Sequence, residues 1–127
     1  MAKPQKKQPA MRLRVVEFPQ ANEVEQFEKK TEARLRDLTN LVGSFRREPF
    51  NLFLAENNPV RDPVEELIVK EVTLRWIVRV AKHSQGPIRE RLWVDIEKAL
   101  TELEMTAEEV MFAGRRWLHS DRMAAAI

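Results

Sequence analysis

Apolar residues along this chain recur mostly at helical intervals. Val24, Phe27, Thr31, Leu35, Leu38, Val42 and Phe45 are spaced three or four apart. That is one stripe along about six turns of helix, and it predicts a first helix over 22–47. Glu25 and Glu32 each precede a base, Lys29 and Arg36, by four residues, the favourable order on a helix. Pro49 stops the pattern. Upstream, "MRLRVVEF" at 11–18 is β-branched and roughly alternating, and it predicts a short strand ended by Pro19. Its only pairing candidate is "FNLFLAE" at 50–56, which reads nearly as well as a short helix.

Asn58-Pro59 marks a turn. Asp62 then suits an N-cap, Pro63 the first helical position, and Glu65 and Glu66 the positive end of a helix dipole. The segment that follows is apolar over most of its circumference and predicts a central helix over 63–84, ended by "SQGP". A third helix over 87–104 should bury Ile88, Leu92, Ile96, Ala99 or Leu100, and Leu103. A break is expected at Met105-Thr106. Thr106 and Glu109 match a capping box that would open a fourth helix over 106–122. The expectation is therefore mainly α, a single-domain bundle of about four helices with room for a short N-terminal strand or hairpin. Residues 1–10, rich in Lys, Gln and Pro without periodicity, read as a disordered basic arm ahead of one helical domain over 11–127.

Charge changes this picture less than its total suggests. The net +2 and a pI near 9.1 invite a nucleic-acid partner. Five of the 22 basic residues, Lys3, Lys6, Lys7, Arg12 and Arg14, fall in the first 20 positions with one acid, Glu17. The remaining 107 positions hold 17 basic and 19 acidic side chains, so the body is slightly acidic. No apolar run approaches the roughly 20 residues of a membrane span, and the basic start has no apolar segment behind it. With no cysteine, the chain suits the cytoplasm.

Little in the sequence points to catalysis. There is no thiol, no tyrosine, no glycine-rich phosphate loop and no HExxH spacing, and no metal or cofactor is expected. "HSD" at 119–121 has the residue types of a hydrolase triad, but neighbouring helix positions point about 100° apart and cannot converge. His83 and His119 suit helix C-termini. Trp76, Trp93 and Trp117 sit in helical apolar patterns and read as core residues.

Residues 99–122 have the apolar skeleton of a helix-turn-helix, in Ala99, Leu100, Leu103, Met105, Val110 and Ala113. Glu108 and Glu109 then oppose phosphate at the start of the would-be recognition helix, and only Arg115 and Arg116 suit it. Arg46-Arg47, Arg115-Arg116, the run Arg75, Arg79 and Lys82, and the basic arm together favour a small nucleic-acid-binding regulatory protein of the transcriptional-regulator kind. The expected contacts are Lys3, Lys6, Lys7, Arg12, Arg14, Arg46, Arg47, Arg115 and Arg116. The alternative is a non-enzymatic helical adaptor or inhibitor that binds another protein. The outward face of the last helix would then be its partner surface. The long stripe of the first helix also suggests a homodimer through residues 22–47.

Overall fold

The computed structural model describes residues 17–126, and side chains from Asn22 to Ser120. The expected arm over 1–10, with Lys3, Lys6, Lys7, Arg12 and Arg14, and most of the expected strand over 11–18 lie outside the described residues. Those residues are mainly helical, in the order α1 (Glu17–Gly43), two 3-10 turns (Ser44–Arg46 and Phe50–Leu54), α2 (Arg61–Lys82) and α3 (Gly86–Ala126). The chain forms two compact units that divide between Ala33 and Arg34. In the first, α1 exposes Val24 and Phe27, and the buried Thr31 hydroxyl donates to the Phe27 carbonyl at 2.8 Å.

The second unit holds the core. Among the described residues there are three α-helices rather than four, because no break occurs at Met105-Thr106 and α3 runs unbroken for 41 residues. Thr106 is a helix-interior residue whose hydroxyl donates to the Glu102 carbonyl at 3.1 Å instead of capping a new helix. The buried positions explain why. Trp93, Ile96, Leu100, Leu103, Ala107 and Val110 alternate by three and four without losing phase across the supposed turn.

No strand occurs among the described residues. Glu17 and Phe18 open α1, with Pro19 in its first turn, where a missing N–H forfeits no bond. At 50–56 the helical alternative is the one observed. Phe50 and Phe53, three apart, turn to the same side, and their rings stand 5.5 Å apart. Phe53 is fully buried, and its ring lies 6.1 Å from that of Phe45.

The start of α2 is also built differently. Its N-cap is Val60, and Asp62 stands exposed in the first turn. The capping work falls to Asn58, whose side chain is 4% exposed: its Oδ1 accepts from the Val60 N–H at 2.9 Å, and its Nδ2 donates to the Leu52 carbonyl at 3.0 Å. One buried amide thus ties the 3-10 turn to the helix start.

Finally, α2 is apolar on two sides but buried on one. Val64, Leu67, Leu74, Val78 and Ala81 enter the core, whereas Trp76 is 63% exposed. Ile88, expected inside, is exposed too. Trp93 is the tryptophan that does fill the core, at 2% exposure, and Trp117 is half-buried. Leu35, Leu38 and Phe45 of the α1 stripe are buried in this same core. Val24 and Phe27 of the same stripe are exposed.

Between α2 and α3, Gly86 adopts a left-handed φ of 66°, a conformation that favours glycine. Arg89 reaches back from α3 to donate to the Lys82 carbonyl at 3.0 Å and the Ser84 carbonyl at 3.3 Å, satisfying the end of α2. Glu71 is a fully buried carboxylate in the middle of α2. It accepts from the Thr39 hydroxyl at 2.6 Å and from Arg75 Nη2 at 3.2 Å, and it forms an ion pair with Arg75 Nε at 2.7 Å.

Candidate partner-binding groove

Because α3 is continuous, residues 104, 107, 108, 111, 112, 115, 116, 119 and 120 share one face of it over about 24 Å of helix. That face and the last turns of α1 enclose a groove of about 1080 Å³. Leu38 and Leu41 from α1 and Ala107, Met111 and Phe112 from α3 supply its apolar lining. Leu38, Ala107 and Met111 are buried and form the floor, while Phe112 projects into solvent at 65% exposure.

Arg34 closes one end of the groove as a fork. Its Nε and Nη2 donate to the two Glu104 carboxylate oxygens at 3.1 and 2.7 Å, Nη1 donates to Glu97 at 3.0 Å, and Nη2 also reaches Thr101 Oγ1 at 3.1 Å. Two-point contact of this kind fixes direction as well as distance. Hydrogen bonds to Glu104 and then Glu97 hold the Arg34 guanidinium charged well above its ordinary range. The Glu97 carboxyl is in turn held below its ordinary value, chiefly by Arg34 and then by Thr101.

At the other end, Arg115 lies 5.6 Å over the Phe50 ring and Arg116 lies 5.7 Å over the Phe112 ring. Both are exposed, and stacking on an aromatic face leaves guanidinium N–H groups directed at solvent. Of the nine residues expected to contact nucleic acid, Arg115 and Arg116 therefore line the groove. Arg46 and Arg47 are exposed near the first 3-10 turn and do not line it.

The lining carries three guanidinium groups, Arg34, Arg115 and Arg116, against three carboxylates, Asp37, Glu104 and Glu108. Such a rim balances instead of building the one-sign field that concentrates phosphate. His119 and Ser120 complete it, apart from one another and from any triad-like arrangement by their positions along the helix.

Sequence reasoning singled out the two arginines but missed Arg34, Asp37, Leu41, Met111 and Phe112. The ladder 104, 108, 112, 116 was legible in the spacing, yet an assumed break at 105 hid it. Among the described residues no helix is long and apolar enough to cross a membrane, and no cluster of His, Cys, Asp or Glu could hold a metal ion. No family model, curated protein or solved structure matches this chain.

Proposed function

We propose that this protein is a non-enzymatic helical adaptor that seats an amphipathic helix of a partner protein in the groove lined by residues 34–41 and 104–120. The observation that carries this reading is Phe112, 65% exposed beside a buried apolar floor and framed by equal numbers of opposite charges. A groove about 24 Å long matches roughly 16 residues of helix. Helix-in-groove recognition needs an apolar floor for anchor side chains and a polar rim to set their register. Aromatic residues and arginines, here Phe112, Arg115 and Arg116, are the types enriched where partners dock.

The nucleic-acid alternative has less support from the same residues. A helix-turn-helix requires a turn where α3 is uninterrupted. Arg34 is committed to Glu97 and Glu104, and Asp37 and Glu108 would face phosphate with the wrong sign.

A photoreactive side chain placed at Arg116 in cells should crosslink to one predominant protein. That protein, purified, should bind the full chain with a Kd of about 1–10 µM, and Phe112→Glu should weaken it by at least about tenfold. Binding of duplex DNA or RNA at about 50 mM salt, abolished by reversing Arg115 and Arg116 to Glu, would instead establish the regulator reading.

A further inference from the structure

A second apolar face lies on α2, opposite the one that enters the core. Val69, Val72, Trp76 and Val80 recur at three, four and four, and are 63, 40, 63 and 53% exposed. With about 100° between successive residues, this stripe is centred about 180° from Val64, Leu67, Leu74 and Val78. A helix with a solvated outer side is ordinarily polar there. A contiguous stripe containing a tryptophan is the kind of patch that marks an interaction surface. None of its residues lines the groove at 34–41 and 104–120, so the two surfaces are separate.

What covers the stripe is indicated by the charges beside it. Asp62, Glu65 and Glu66 lie towards its N-terminal end, and Arg79 and Lys82 towards its C-terminal end. Arg61–Glu65 and Lys70–Glu66 ion pairs, at 3.5 and 3.2 Å, are exposed and contribute little to holding those carboxylates. At the far end Arg79 lies 5.6 Å over the Trp76 ring, which keeps its charge beside the apolar surface. A parallel pair of such faces would set acid against acid and base against base. An antiparallel pair sets each acidic end against the other's basic end and also opposes the two helix dipoles.

We propose that the outward face of α2 is an antiparallel, twofold interface between two copies of this chain. The midpoint of the acidic and basic ends places the axis near Thr73. There the Trp76 of one copy lies across the Val69 and Val72 of the other. This surface is distinct from the α1 stripe expected to mediate self-association, whose Leu35, Leu38 and Phe45 are already buried.

Analytical ultracentrifugation of the full chain tests the interface. The wild type should be dimeric at about 100 µM, and Trp76→Glu should raise the dissociation constant by about 100-fold with an unchanged circular dichroism spectrum. Val69→Lys serves as the second variant should Trp76→Glu fail to fold. Reversing Glu65 and Glu66 to Lys, or Arg79 and Lys82 to Glu, should each weaken association about tenfold, and the chain carrying all four changes should regain it. The regained affinity is specific to antiparallel pairing, because the charge gradient is only inverted. Since the chain has no cysteine, Thr73→Cys introduces a single thiol that should oxidise to a crosslinked dimer, whereas Asp62→Cys should not. A monomeric wild type, a dimer that survives both stripe variants, or failure of the fourfold variant to recover would overturn the proposal.

Discussion

Adding one methyl group at position 114 sets helix propensity against packing. Gly114 lies inside α3 and is buried, and a Cβ on it would fall well inside van der Waals contact with Cε2 and Cζ of Phe53. On propensity alone, Gly→Ala in a helix interior stabilises by about 1 kcal/mol. Opposing it, Phe53 is fully buried, with the Phe45 and Phe50 rings centred 6.1 and 5.5 Å away, so its ring has little room to retreat. Overpacking of a close-packed site costs typically about 1–3 kcal/mol, and a contact this short belongs at or above the upper end. The net expectation for Gly114→Ala is a loss of about 2 kcal/mol or more, read as a melting temperature lower by roughly 6–12 °C in a two-state thermal unfolding experiment. Combining it with Phe53→Leu, which vacates the contested volume, should cost less than the sum of the two single changes. A Gly114→Ala protein that melts higher than wild type would show that propensity governs this position and that the ring is not held as described.

Further outcomes follow from the charged groups. Arg75→Met should destabilise by about 2 kcal/mol, because it leaves the buried Glu71 carboxylate with Thr39 as its remaining described partner. Glu71→Met should cost less or even stabilise, since the half-exposed Arg75 returns to water; chemical denaturation of the two variants compares them, and the reverse order would refute the argument. Because the Glu97 carboxyl is held below its ordinary value, its contribution with Arg34 is present above about pH 4.3 and is lost as pH falls through the depressed value. The difference in melting temperature between wild type and Arg34→Met should therefore persist at neutral pH and shrink in acid; a difference that is constant with pH would exclude this linkage.

The sequence by itself determined that most of the described residues are helical, because stripes at three and four such as Leu35, Leu38 and Val42 can bury one side only as helix. It also contained the continuity of α3, in the unbroken phase from Trp93 to Val110. A capping-box match at Thr106 and Glu109 obscured that continuity, because those residue types also fit a helix interior where the threonine bonds back to the preceding turn. Periodicity could not decide which of two apolar faces of α2 enters the core. Both obey the same spacing, and only packing into the shared core buried Leu74 and Val78 while leaving Trp76 outside. The groove likewise depended on distant residues: Arg34 meets Glu97 and Glu104 across more than 60 positions of chain. The close seat of Phe53 against Gly114 is of the same kind. Such contacts depend on where two helices cross, a property of the packed three-dimensional arrangement that a local pattern does not encode.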